Sequence, residues 1–99
     1  MDIKLVNKGE TGEVRLIGRL DSTAAPEAGE ILNEIADRFE KMVLDLAELE
    51  YTASSGLRII RGIQIKMNKK GGELVLKNTR PMVMEVFEMT GFASFLKFE

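Results

Sequence analysis

Two adjacent hydroxyls, Ser54 and Ser55, are the most chemically suggestive residues of this sequence. They stand in the segment Tyr51-Thr52-Ala53-Ser54-Ser55-Gly56-Leu57, after an apolar run and ahead of residues spaced for a helix. Nucleophilic catalysis is not what they point to. The chain has no histidine to activate a serine, and no G-x-S-x-G elbow surrounds the pair. A serine where a helix begins is expected to cap it by accepting a backbone N–H. The same place suits a phosphate, because free N–H groups and the helix dipole both favour a dianion. Phosphorylation there would place about two negative charges within a docking surface and leave the fold intact.

Other chemistry finds little footing. Asp21, Asp45, Glu48 and Glu50 are the acids that a carboxylate pair would need, and they read as solvated or capping residues. No Walker-type glycine loop occurs. With neither cysteine nor histidine, the chain lacks disulfides, a redox handle, the usual zinc ligands and the commonest general base. No catalytic residue, metal or cofactor is therefore assigned, and the chain is read as a non-enzyme. The net charge is −2 and no long basic stripe appears, which argues against nucleic acid as a partner. Lys66, Lys69 and Lys70 cluster at the expected end of a helix, where its dipole favours cations. No apolar run reaches membrane-spanning length. The start, Met1-Asp2-Ile3-Lys4, lacks the plan of a signal peptide, so a cytoplasmic address is expected.

The elements that would position the serines alternate between strands and helices. Ile3–Val6 and Glu13–Gly18 read as two strands, antiparallel because Gly9–Gly12 is a short turn. Ala28, Ile31, Leu32, Ile35 and Phe39 form one apolar helical stripe, with Ser22 or Thr23 as cap and Pro26 in the first turn. Met42–Leu46 reads as a central strand covered on both faces. Ala47–Thr52 reads as a loop. A second helix opens at Ser54-Ser55-Gly56, buries Leu57, Ile60, Ile63 and Met67, and ends at Gly71-Gly72. Glu73–Leu76 is the next strand. A third helix follows, capped by Thr79, with Pro81 in its first turn, Val83, Val86, Phe87 and Thr90 inward, and Gly91 as its stop. Phe95–Phe98 closes the chain as a short strand or extended tail. The expectation is one α/β domain over residues 1–99, a mixed β-sheet packed with α-helices.

These residues resemble a known family. Leu16-Ile17-Gly18-Arg19-Leu20-Asp21-Ser22, Val43-Leu44-Asp45-Leu46, Tyr51 to Arg58, Gly71 to Leu76, and Val86 through Gly91-Phe92 together are similar to a STAS domain of the anti-sigma factor antagonist type. The Ser-Ser-Gly-Leu segment after a Leu-Asp-Leu strand is the most specific piece. The resemblance implies a STAS-like fold and a binding switch that regulates transcription in bacteria. The unphosphorylated antagonist binds an anti-sigma factor that is also a serine kinase, and so frees a sigma factor. That kinase uses ATP and Mg²⁺ to phosphorylate a serine at the start of this helix, and a PP2C-type phosphatase resets it. The phosphoacceptor maps onto Ser54, with Ser55 as second candidate. The resemblance maps the docking surface onto Asp21, Ser22, Thr23, Thr52, Ala53, Ser55, Gly56 and Arg58, that is, the turn after the second strand, the loop before Ser54 and the exposed side of the helix that starts there. Arg58 reads first as a solvent-facing arginine and second as a partner for a phosphate. One position departs from the family pattern: Ala53 stands where an acid commonly precedes the phosphoacceptor. A STAS domain that binds without being phosphorylated, such as the small subunit of a lipid-transport ABC system, is the alternative. The sequence leaves the oligomeric state open, with Met82, Met84, Met89 and Phe92 as apolar surface if they face outward.

Overall fold

A computed structural model describes residues 1–99. Strands β1 (Asp2–Lys8) and β2 (Thr11–Leu20) form an antiparallel hairpin in register from Asp2↔Ile17 to Lys8↔Thr11. The turn is shorter than the sequence suggests: only Gly9 and Glu10 lie outside the strands. Gly9 has φ +78°, which glycine adopts without strain. Helix α1 (Ala25–Arg38), strand β3 (Lys41–Asp45), strand β4 (Leu49–Thr52), helix α2 (Ser54–Lys69) and strand β5 (Glu73–Lys77) follow. Helix α3 (Pro81–Met89), a single 3-10 turn (Phe92–Ser94) and strand β6 (Lys97–Phe98) complete the chain.

The sheet order is β1-β2-β3-β5-β6, with every pairing after the first hairpin parallel. Strand β2 is long enough to serve two neighbours. Its first half pairs with β3 and its second half with β4. Between them the register shifts at Gly18/Arg19, where Gly18 has φ +105° and its N–H donates to the Glu48 carbonyl at 3.0 Å.

The core is one cluster of 21 buried residues. Val14, Leu16, Met42, Leu44, Leu74 and Leu76 reach it from the sheet, by the two-residue alternation of strands. Leu32 and Ile35 enter it from α1, Leu57, Ile60, Ile63 and Met67 from α2, and Val83 and Phe87 from α3. Strand β3 is covered on both faces as expected, but the second face is covered differently from the first. Val43 and Val75 are buried there but stand outside the core cluster. They lie in a cross-strand row between Glu13 and Lys97, among ion pairs that join Glu13 to Lys8 and Lys77 and Glu73 to Lys41 and Lys97. The inner strand is thus covered by helices on one face and by long charged side chains on the other.

The start of α3 and one residue of its last turn also differ from expectation. Thr79 does not cap α3: Arg80 holds the N-cap position without a side-chain bond, and the Thr79 hydroxyl is buried with no partner. Val83 and Phe87 are buried and Val86 is half-buried, but Thr90 is exposed and its hydroxyl donates back to the Val86 carbonyl at 2.7 Å. Gly91 ends the helix as expected, in the left-handed conformation at φ +82°.

Candidate functional site

The second half of β2 and the whole of β4 run side by side, with Leu20 opposite Thr52. Each strand then feeds a helix. The chain leaving Leu20 turns through Asp21, Ser22 and Thr23 into α1, and the chain leaving Thr52 passes Ala53 into α2. The two helix starts therefore lie together at the C-terminal ends of two neighbouring parallel strands. That edge is where open parallel sheets present loops for binding. The structure brings together every docking residue expected from the sequence except Arg58, which stands one turn further along α2.

Leu49–Thr52 is a strand, not the loop expected from the sequence. Leu49 and Thr52 are buried while Glu50 and Tyr51 are exposed. Four residues with one acid carry too little pattern to reveal a strand. Its partner is the edge that β2 offers beyond the Gly18 irregularity, which sequence cannot locate.

Asp21 organises the first loop. Its Oδ1 accepts the Ala24 N–H at 2.9 Å, the Thr23 hydroxyl at 2.8 Å and the Thr23 N–H at 3.1 Å. These bonds, led by that from Ala24 and aided by the nearby Arg19 charge, hold its carboxyl below the ordinary range. The start of α1 is thus tied by Asp21, and neither Ser22 nor Thr23 is its cap. Ala24 occupies the N-cap position, Pro26 lies in the first turn, and Ser22 and Thr23 are exposed.

The second loop is fixed by packing. The Ala53 N–H donates to the Leu20 carbonyl at 2.9 Å, and the Ala53 carbonyl accepts from Gly56 at 3.0 Å and Leu57 at 3.2 Å. Gly56 permits this close approach: a Cβ at that position would lie 2.6 Å from Thr52 Oγ1 and 2.7 Å from Leu20 Cγ. Ala53 holds the N-cap position with no side-chain bond, so neither serine caps α2 as expected. An absent cap costs about 1 kcal/mol. Leu57, Ile60, Ile63 and Met67 are fully buried, and each contributes about 1.5–3 kcal/mol, which outweighs that loss.

The two serines differ in access. Ser54, the first residue of α2, is exposed and its side chain makes no hydrogen bond. The Ser55 oxygen is buried without a partner. The N–H groups of Ser54 and Ser55 have no backbone acceptor. The arrangement offers an accessible hydroxyl and unoccupied donors, but no side chain placed to activate that hydroxyl. Chemically it can receive a group delivered by another protein. Arg58 is exposed and forms no ion pair or hydrogen bond.

One feature of this surface escapes sequence reasoning. The Arg19 guanidinium lies 4.4 Å from the centroid of the exposed Tyr51 ring, because the two residues are register partners across β2 and β4. Arg19 also joins Met1, Asp21, Thr23 and Ala24 around a shallow open depression. No helix is long and apolar enough to cross a membrane.

Comparison with known proteins agrees with this geometry. BtrV of Bordetella bronchiseptica is 39% identical over 80 residues, which cover 80% of this chain and 69% of that protein. The anti-sigma F factor antagonist of Paenibacillus polymyxa is 35% identical over 80 residues, 79% of this chain and 68% of that protein. The crystal structure of an anti-sigma factor antagonist from Mycobacterium paratuberculosis superposes with a TM-score of 0.86 over 98% of this chain and 83% of that one, at 21% identity. The expected fold, a mixed sheet packed with helices, is the one these neighbours share. Residues 2–99 match the STAS domain, and the chain belongs to the STAS domain family.

Proposed function

We propose that this chain is an anti-sigma factor antagonist that binds a serine-kinase anti-sigma factor and is switched off by phosphorylation of Ser54. The observation that carries this reading is the exposure of the Ser54 hydroxyl at the first residue of α2, beside the Asp21 turn and between no competing side-chain bonds. The names of its relatives support the first part, since the Paenibacillus protein is an anti-sigma F factor antagonist and a Bacillus subtilis relative, 29% identical, is an anti-sigma-B factor antagonist. In this reading Asp21, Ser22, Thr23, Thr52, Ala53, Ser55, Gly56 and Arg58 form or support the contact patch. A phosphate on Ser54 would face the free N–H groups of α2 and leave the buried packing beneath untouched. It would place about two negative charges at the centre of the patch and expel the partner by repulsion and desolvation. A PP2C-type phosphatase would reset the switch. The work of the chain is binding, in the cytoplasm, and not catalysis.

The test is incubation with the serine-kinase anti-sigma factor of the same organism, ATP and Mg²⁺, followed by intact-mass measurement. One added phosphate is expected on the wild type and on Ser55→Ala, and none on Ser54→Ala. A wild type that gains no phosphate, or a Ser54→Ala variant that still gains one, overturns the phosphoswitch.

One observation favours a second reading. Ala53 holds the N-cap position and offers no carboxylate beside Ser54 to orient a hydroxyl or a kinase. A constitutive binding subunit, such as that of a lipid-transport ABC system, would need no such group. Such a subunit would co-purify with an ATPase and tolerate Ser54→Ala.

A further inference from the structure

Along the solvent face of α2, Arg58, Gly62, Ile65 and Lys69 fall four, three and four residues apart, and all four are exposed. That is the spacing of a seam along which one helix packs on another. Ser54 heads the same stripe, one turn before Arg58.

The cations of α2 divide into occupied and free. Arg61 lies over the Phe95 ring at 4.4 Å and bonds to Gln64. Lys66 pairs with Asp37 at 2.7 Å. Arg58 and Lys69, by contrast, make no ion pair or hydrogen bond within the chain. Between them sits Gly62. A Cβ there would meet nothing within 4 Å, so nothing inside the domain calls for glycine. Glycine in a helix interior is penalised against alanine by its backbone entropy. What glycine offers in exchange is close approach by another backbone from outside. The charge is also one-sided: α2 contains no acid, while the exposed side of α1 beside it carries Glu27, Glu30, Glu34 and Asp37.

We infer that this stripe is the docking seam for an acidic helix of the partner protein, which crosses α2 at Gly62, rests on Ile65 and pairs its carboxylates with Arg58 and Lys69. The inference rests on the antagonist reading above and adds the partner's chemistry and its line of contact. Arg58 and Lys69 stand about 16 Å apart along the helix axis, so the partner's acids lie about three turns apart. The acids of α1 repel the same segment and confine it to α2. A phosphate on Ser54 acts on this seam twice. It repels the partner's carboxylates, and it pairs with Arg58 one turn away, which withdraws one of the two free cations.

The test titrates the purified serine-kinase anti-sigma factor of the same organism with the full chain and with Gly62→Ala, Gly62→Leu, Arg58→Glu and Lys69→Glu. Gly62→Ala controls for the fold and is expected to raise the melting temperature by about 5 °C. Gly62→Leu is expected to stay folded and to bind about 30-fold more weakly, because its side chain holds the partner off the seam. Each charge reversal is expected to weaken binding about tenfold, with the loss shrinking at high salt. Wild-type affinity in Gly62→Leu and in both reversals overturns the seam and leaves the antagonist reading standing. A wild type that does not bind the kinase at all overturns that reading, and the seam with it. Sedimentation of the chain alone provides the remaining check: a dimer abolished by Arg58→Glu makes a second copy the occupant and overturns the acidic partner helix.

Discussion

Leu20 and Thr52 face one another as the last paired residues of β2 and β4, and the Leu20 carbonyl accepts the N–H of Ala53 at 2.9 Å. This juncture places the Asp21 turn beside the start of α2. The proposed binding surface is therefore tied to the sheet at both of its turns. It is the immediate continuation of two hydrogen-bonded strands, and its shape depends on how tightly those strand ends pack against α2.

Gly56 is the residue on which that packing closes. In Gly56→Ala the new methyl would meet Thr52 Oγ1 and the Leu20 side chain at distances that no real contact tolerates. Over-packing of this kind costs about 1–3 kcal/mol. The expected result is a lower midpoint in urea and weaker binding of the proposed kinase partner, since α2 must shift to relieve the clash. A Gly56→Ala variant with unchanged unfolding midpoint would contradict the packing described for this corner.

Lys70 holds the opposite end of the helical layer. Its ammonium donates to the carbonyls of Ala36 at 2.6 Å and Phe39 at 2.8 Å, and Lys66 donates to Asn33 at 3.2 Å. The lysine cluster thus complements the C-terminus of α1 more directly than that of its own helix. Replacing Lys70 by methionine keeps the stem and removes the donors, and is expected to cost about 1 kcal/mol. Denaturant unfolding measures this directly. Loss of less than a few tenths of a kcal/mol would mean that water serves those carbonyls equally well.

Acid titration should find two carboxylates at work. Asp21 is held below its ordinary value of 3.8, chiefly by the Ala24 N–H, and Glu13 below 4.5, chiefly by Lys77 and then Lys8. A folded pKa below the unfolded one gives stability that is complete above the unfolded value and lost as pH falls through the folded value. Stability is therefore expected to stay level near neutrality and to drop below pH 4.5. Lys77 acts at the other end: Glu13 raises its pKa above 10.5, so its contribution fades as pH rises through that raised value. In Glu13→Gln the acid-side slope should be shallower. An identical slope in that variant would remove Glu13 from the account.

Much of the fold is legible in the residues because the core follows simple periods. The stripe Leu57, Ile60, Ile63 and Met67 announces α2, and all four residues are fully buried. The hairpin follows from two alternating runs and a glycine turn. Strand β4 is not legible, since Leu49–Thr52 becomes a strand only when the far half of β2 stands alongside it. Helix caps fail for a related reason. Ser22, Ser54 and Thr79 have the right chemistry for caps, but the chain enters each helix one or two residues away from where local pattern places the boundary. Asp21, read as a solvated or capping acid, does act as the cap-like acceptor. The grouping of Asp21–Thr23 with Ala53–Gly56 is legible only through the family resemblance, because 29 residues of chain lie between Thr23 and Ala53. The Arg19–Tyr51 stack needed the sheet register itself.

The proposed switch is decided by the affinity of a serine-kinase anti-sigma factor of the same organism for a Ser54→Asp variant, measured by calorimetry beside the wild type. An aspartate at the first position of α2 is compatible with its helix dipole, so the variant should melt no lower than the wild type. Binding is expected to fall by about 100-fold, because a fixed negative charge now occupies the middle of the contact. A folded Ser54→Asp chain that holds the kinase as tightly as the wild type does would contradict the claim that charge at this hydroxyl releases the partner.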